Sequence, residues 1–402
     1  MAKYRILSLD GGGAWALIQV RALMELYGGA ARGHDVLADF DLVAANSGGS
    51  IVAAGLAEDL SLAEVLNYFK DEKKRRALFV RLPFYRRIAR VLGLGPRYYA
   101  ASKLEGLRKV MPAAGGRAMA DLPDSLRQRA KKRSHFLLVG FDYDRERAVF
   151  FRSNLESRAG SGAAAARVTL AEAVHASTNA PINYFDEPAS LPATESGKPP
   201  RRFWDGAITG LNNPIVAAVV EAKANGAKTA EIEVLSIGTG NVFLPLEDGA
   251  AASEMMQARA SQNLLADIKK ISGSILADPP DAATFITHVM LDQHLPARGD
   301  PAFGGGSVIR MNPLIQPYCE GDPPPWLCPK GLTSDQFKRL VKLDMDAVED
   351  GEVTLIEEFC TAWIAGGVHN QPVRARSTNL NCEIGHRWFS EALAEWKRRM
   401  AG

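Results

Sequence analysis

The chain opens on Tyr4-Arg5-Ile6-Leu7-Ser8-Leu9, a nearly unbroken apolar run that predicts a strand buried on both faces. Asp10-Gly11-Gly12-Gly13 interrupts it, and Ala14 to Leu23 then follows a helical pattern. A second apolar run, Phe40 to Asn46, ends in the small cluster Ser47-Gly48-Gly49-Ser50 and passes into a helix-forming stretch, Ile51 to Gly55. His135 to Asp144 and Ala148 to Phe151 read as paired strands joined by a polar turn. Thr169 to Asn179 reads as a helix that meets Ala180-Pro181. Asn212-Asn213-Pro214 starts another helix, running to about Asn225, with proline well placed in its first turn. Glu231 to Ile237 is a further core strand, closed by Gly238-Thr239-Gly240.

The later part of the chain predicts a helix over Glu254 to Ala277, a strand over Ser307 to Pro313 and a proline-rich loop over Cys319 to Lys330. Two surface helices are expected, Gln336 to Phe359 and Phe389 to Met400. Ala159 to Ala166 is small and flexible in composition, and Glu187 to Pro200 is rich in proline and small polar residues. No internal repeat is present. The alternation of strand and helix implies an α/β fold with a mainly parallel sheet covered on both faces.

Two junctions in this pattern carry candidate chemistry. A serine on the sharp turn from a buried strand into a helix presents its hydroxyl away from the sheet, above the helix N-terminus. Such an elbow needs small residues two places before and two after the serine. Around Ser47 these are Ala45 and Gly49, so alanine stands where glycine is usual and strain is expected there. The plainer reading of the same residues is a Gly-Ser turn with Ser47 capping a helix. The second junction is Asp10 to Gly13, a glycine loop between a strand and a helix. Its backbone N–H groups can approach a negative oxygen, and the helix N-terminus adds a favourable dipole. No Gly-Lys-Ser/Thr follows, which argues against a nucleotide P-loop, and Ala16 breaks a G-x-G-x-x-G pattern. An oxyanion hole is the remaining use.

Composition narrows the class. Apolar residues make up 47% and charged residues 23% of 402, ordinary for a globular protein with a large core. The net charge of +2 gives no bulk electrostatic case for nucleic acid. Cys319, Cys328, Cys360 and Cys382 form no C-x-x-C pair, which fits reduced thiols in a cytoplasmic protein, with a Cys319–Cys328 bridge as the alternative. The strand-like start leaves no room for a signal peptide, and no apolar run has the length to cross a bilayer. No His/Cys cluster has zinc-ligand spacing, so neither a metal nor a cofactor is expected. Lys73 to Arg97 is basic and aromatic with no acidic residue. It suits contact with an anionic membrane surface, or equally a solvated helical excursion with a few buried aromatics.

Taken together, Asp10-Gly11-Gly12-Gly13, Asn46-Ser47-Gly48-Gly49 and Asp205-Gly206-Ala207 resemble, in order and spacing, the patatin-like phospholipases. Ser177-Thr178-Asn179-Ala180-Pro181, Asn212-Asn213-Pro214 and Val234 to Gly240 agree. The resemblance covers about residues 4–345. It implies a three-layer α/β/α fold and an acyl hydrolase domain over 4–345, leaving 346–402 as a helical extension packed on the same domain. It also implies hydrolysis of phospholipid or related lipid esters by a Ser–Asp dyad. Position by position, Ser47 is then the nucleophile, Asp205 the base, and Gly11, Gly12 and Gly13 the oxyanion hole. Trp15 and Ala16 stand where the family has a basic residue and a glycine.

Such a protein meets its lipid from the side of the membrane, through Lys73 to Arg97. Two other classes fit the same motifs: an effector phospholipase activated by a ligand or partner, and a catalytically inactive patatin fold that binds lipid. A Ser-His-Asp triad is the competing mechanism, for which His175, on the helix before Ala180-Pro181, is the histidine to watch.

Overall fold

The computed structural model describes residues 3–82, 96–126, 134–154, 168–182, 184–193, 197–242, 280–297, 300–301, 303–319, 326–374 and 383–401. The helix expected over Glu254 to Ala277, the stretch Ala159 to Ala166 and residues 83–95 of the basic segment lie outside these residues.

Strands β1 (Tyr4–Leu9), β2 (Leu42–Ala45), β3 (His135–Asp142), β4 (Arg147–Arg152), β5 (Ala189–Leu191), β6 (Arg201–Asp205), β7 (Ile232–Ile237) and β9 (Val308–Met311) form one sheet; β8 (Asn241–Val242) pairs with β10 (Leu314–Ile315) beside it. Five strands run parallel in the order β3-β2-β1-β7-β9. β4 and β6 pair antiparallel with β3, and β5 with β6.

The principal helices are α1 (Leu17–Tyr27), α2 (Ser47–Ala57), α3 (Leu62–Lys70), α4 (Glu72–Leu78), α5 (Ala100–Val110), α6 (Leu170–Ser177), α7 (Ile215–Ala224), α8 (residues 280–290), α9 (Ser334–Lys342), α10 (Asp350–Ile364) and α11 (Phe389–Ala401). They cover both faces of the sheet, and the strand sequences show how. Leu7, Leu9, Val43, Ala45, Phe136, Leu138, Leu235 and Ile237 share one core with α1, α2 and α6. The alternate residues Ile6, Leu42, Ala44, Leu137, Val139 and Val234 share the other with α7 and α8. Period-two alternation, apolar on both sides, is what a doubly covered sheet requires.

The C-terminal segments differ from the expectation of surface helices. Gln336 to Phe359 is broken at residues 343–349 into α9 and α10. Phe359 and Trp363 of α10 and Trp396 of α11 are fully buried, with Trp396 stacked on Phe40. These side chains join the first core rather than solvating a surface. Cys328 is a free thiol, so it forms no bridge to Cys319.

Strand β3 is long enough to serve two partners on one side. It holds β4 along one edge. On its other edge β2 occupies His135 to Leu138, and β6 takes over at Gly140, running the opposite way. The C-terminal ends of β2 and β6 therefore meet head-on along a single edge.

Candidate active site

That meeting brings Ser47 and Asp205 together. β2 ends with Ala45 opposite Leu138, and Asn46, still extended, is the residue before α2. Ser47 then turns with φ 47°, in the left-handed region that costs a side-chain-bearing residue about 1–2 kcal/mol. Ala45 keeps its ladder pairing and packs in the core, so the backbone strain sits on the serine and not on the alanine. The surrounding glycines explain how the turn fits. A side chain at Gly48 would strike the Gly13 backbone, and one at Gly49 would strike the carbonyls of Leu9 and Asp10.

Asp205 ends β6 opposite Gly140 and is 2% exposed. Its carboxylate accepts from the Ala207 N–H at 2.9 Å and from Asn46 Nδ2 at 3.1 Å, and the Ser47 side chain is near enough to favour its ionised form. Burial pushes this carboxyl above the usual carboxylate range, while the Ser47 side chain, the two hydrogen bonds and the positive charge of Lys103 pull it back. The outcome is an ionisable group more basic than an aqueous carboxylate, with the Ser47 side chain among the groups that favour its charged form.

The glycine loop lies beside this pair. Asp10 at its head is buried against Arg310 of β9, with Nη1 donating at 3.0 Å and Nη2 at 2.5 Å to the two carboxylate oxygens. The Gly11 N–H is committed to the Asn212 carbonyl at 2.8 Å, and the Gly11 carbonyl accepts from Thr239 Oγ1 at 2.7 Å. The donor expected of Gly11 is thus engaged within the fold. Among the described residues no acceptor takes the N–H of Gly12 or Gly13. Gly13, with φ 57°, has the Met345 carbonyl where a side chain would begin. Trp15, in the place of the usual basic residue, is buried edge-on to Phe359, and its Nε1 donates to the Asp344 carbonyl at 3.2 Å.

The lesser motifs supply the frame. Ser177 Oγ accepts the Ser47 N–H at 3.1 Å and bonds Ser50 Oγ at 2.9 Å. The Asn179 carbonyl accepts the Asp205 N–H at 3.0 Å. Asn212 Oδ1 accepts from Asn46 Nδ2 at 3.3 Å.

His175 does not complete a triad. It is buried on α6, its Nδ1 has no partner, and burial followed by the charges of Lys103 and Arg108 drives it well below the ordinary histidine range. It is a neutral core residue.

Sequence patterns gave no sign of three contributors. Arg310 fixes the head of the glycine loop. Lys103, fully buried on α5, donates to Asn179 Oδ1 at 2.9 Å over the Phe185 ring. Residues 344–346 carry the far side of the loop. The signal that could have found Arg310 is a charged residue inside an otherwise apolar strand pattern, Val308-Ile309-Arg310-Met311.

The basic segment also differs from its reading. Arg75 is buried and donates to the carbonyls of Phe69, Lys70 and Val348 and to Asp350. Arg76 and Arg81 pair with Glu349, and Arg97 with Asp344 and Asp346. The missing acidic balance comes from residues 344–350, far along the chain. Among the described residues no helix is long and apolar enough to cross a membrane.

Comparison with known proteins bears on this arrangement. The model of the family described as patatin-like phospholipase matches residues 7–219. No curated protein matches. Among solved structures, VipD from Legionella pneumophila aligns at TM-score 0.37 and 11% identity, over 89% of this chain and 67% of that one. The type III effector protein ExoU aligns at TM-score 0.29 and 14% identity, over 72% of this chain, which spans about half (53%) of that protein's length. With more than half of its length matched, and with a mainly parallel sheet flanked by helices on both faces, the chain belongs to the patatin-like phospholipase family.

Proposed function

We propose that the protein is a serine acyl hydrolase of phospholipid or related lipid esters, working through a Ser47–Asp205 dyad. The observation that carries the reading is a strained, nearly buried serine at the turn into α2 beside a buried carboxyl that burial raises above the usual range and that the Ser47 side chain helps hold ionised. Serine alone is a poor nucleophile and needs a base that already holds its proton in place. Ser47 Oγ attacks the acyl carbonyl carbon as its proton passes to Asp205. The carbonyl oxygen becomes an oxyanion, for which the uncommitted N–H groups of Gly12 and Gly13 are the donors. Collapse expels the lipid alcohol, which leaves with the proton from Asp205. Water then attacks the acyl-serine, giving its proton to Asp205, and as the acyl–Oγ bond breaks Asp205 returns that proton to Ser47 Oγ and the fatty acid departs. Preorganised donors of this kind are typically worth about 3 kcal/mol each in the transition state.

The membrane approach is proposed with a smaller contact than the whole of Lys73 to Arg97. Arg75, Arg76, Arg81 and Arg97 already have carboxylate partners, whereas Lys73 stands exposed on α4.

The test is hydrolysis of a soluble short-chain ester and of phospholipid vesicles by Ser47→Ala. Turnover is expected to vanish in a protein that keeps its circular dichroism and melting behaviour. Ordinary turnover by folded Ser47→Ala refutes the assignment.

A further inference from the structure

The glycine loop is held from two sides, and the two holds differ in kind. Upstream, Asp10 and Gly11 are fixed by the core, through Arg310, Asn212 and Thr239. Downstream, the hold is the segment between α9 and α10. The Met345 carbonyl accepts the Ala14 N–H at 2.9 Å and fills the space beside Gly13, and the Asp344 carbonyl accepts from Trp15. Three consecutive glycines make the most flexible backbone a loop can have. The planes of the two peptides bearing the Gly12 and Gly13 N–H groups are therefore set by what holds the loop's ends.

What holds Met345 is a side-chain clamp. Arg97 Nη1 donates to both oxygens of Asp346, at 3.0 and 2.9 Å, and Nη2 donates to Asp344 at 2.9 Å. Tyr98 Oη donates to Asp346 at 2.7 Å. The backbone N–H groups of Arg97 and Tyr98 both donate to the Tyr184 carbonyl at 2.8 Å, tying the clamp to the segment that follows α6. The two carboxylates contribute unequally. Asp344 is 53% exposed on its side chain, so its pair is worth little, whereas Asp346 is 6% exposed and accepts three hydrogen bonds, two from Arg97 Nη1 and one from Tyr98 Oη.

We propose that Arg97 is a positioning residue for the oxyanion loop: by gripping Asp346 and Asp344 on either side of Met345, it fixes the carbonyl that orients Gly13 and Ala14. The inference rests on the acyl-hydrolase reading. It places a surface-reaching arginine in control of donors it does not touch.

The experiment compares Arg97→Met, Arg97→Lys and Tyr98→Phe with wild type on a soluble short-chain ester, alongside hydrogen exchange of the peptides covering residues 10–23. For Arg97→Met, kcat is expected to fall about 10–100-fold, the scale of a donor misplaced by about 1 Å, with KM within about twofold. Arg97→Lys is expected to recover part of the loss, and exchange at Ala14 and its neighbours to accelerate in Arg97→Met. Unchanged kcat together with unchanged exchange in these folded variants overturns the proposal, as does a loss carried entirely by KM. Exchange is read without turnover, so it tests the clamp even if Ser47→Ala shows the hydrolase reading to be wrong. If Arg97→Met fails to fold, Tyr98→Phe, which removes one hydroxyl, carries the same test; faster exchange across 10–23 supports the clamp and unchanged exchange refutes it.

Discussion

Asn46→Ala offers a quantitative test of the base. Asn46 Nδ2 donates to Asp205 Oδ1 at 3.1 Å in a fully buried setting, so the bond favours the ionised carboxylate. A hydrogen bond to a charged group is worth about 1.5–3 kcal/mol. At 1.36 kcal/mol per factor of ten, its loss shifts the ionisation equilibrium of Asp205 roughly ten- to a hundredfold toward the protonated form. A base works ionised, and burial already raises this carboxyl. The acid limb of the pH–kcat/KM profile therefore moves to higher pH in Asn46→Ala. At a fixed pH on that limb the variant is expected to be about ten- to a hundredfold slower, converging toward wild type at alkaline pH. The assay is kcat/KM for a soluble ester across the acid and neutral range, with melting temperature as the check on folding. Asn212→Ala is the control. It removes the other side-chain partner of Asn46 Nδ2, at 3.3 Å, without touching Asp205, and its limb is expected to stay. An acid limb that does not move in folded Asn46→Ala, or that moves to lower pH, refutes Asp205 as the base.

The remaining expectations concern stability. Ser47→Gly is expected to be roughly 1 kcal/mol more stable than Ser47→Ala by denaturant unfolding, because glycine relieves the positive φ while both lack the hydroxyl; equal stabilities argue against strain at the elbow. Asp205→Asn tests the cost of the buried charge. The raised carboxyl gives stability that is present below the unfolded carboxylate range and lost as pH rises through the folded value, so the variant's melting temperature should gain on wild type from acid to neutral pH. A pH-independent difference contradicts this. Arg310→Met leaves Asp10 buried without its partner and is expected to cost about 3–5 kcal/mol; the double change with Asp10→Asn should cost less, and strict additivity of the two changes contradicts a coupled pair.

The parts of the fold that were legible are those whose signals are local. The run Tyr4 to Leu9, the glycine loop and the helix behind it announce themselves by apolar period and by glycine. The same holds for Phe40 to Asn46 with its cluster of small residues. What was not legible depends on partners far away in the chain. Lys73 to Arg97 contains no acidic residue, yet Arg97 meets Asp346 from a loop about 250 positions later, and charge pairing leaves no periodic trace in either segment. Gln336 to Phe359 keeps a helical apolar rhythm through its break. The break became visible only as the place where Met345 supports Ala14. The direction of β6 was equally hidden, since alternation does not distinguish parallel from antiparallel pairing.

The shared edge of β3 has a consequence for how the proposed hydrolase could lose activity. Ser47 and Asp205, the proposed nucleophile and base, stand 158 residues apart in the chain, and Asp205 is located by three rungs, Gly140 to Asp205, Phe141 to Trp204 and Asp142 to Phe203. A slip of β6 by two residues keeps every side chain on its proper face and much of the core intact, yet it carries the carboxylate about 7 Å along the strand, out of reach of Ser47. A chain so misregistered is folded, compact and dead. Changes in the hairpin between β3 and β4, or at β5 on the outer side of β6, would then surface as a mixture of fully active and fully silent molecules rather than as a uniformly slower enzyme. Active-site titration, which counts competent molecules, would see such damage where a melting curve does not.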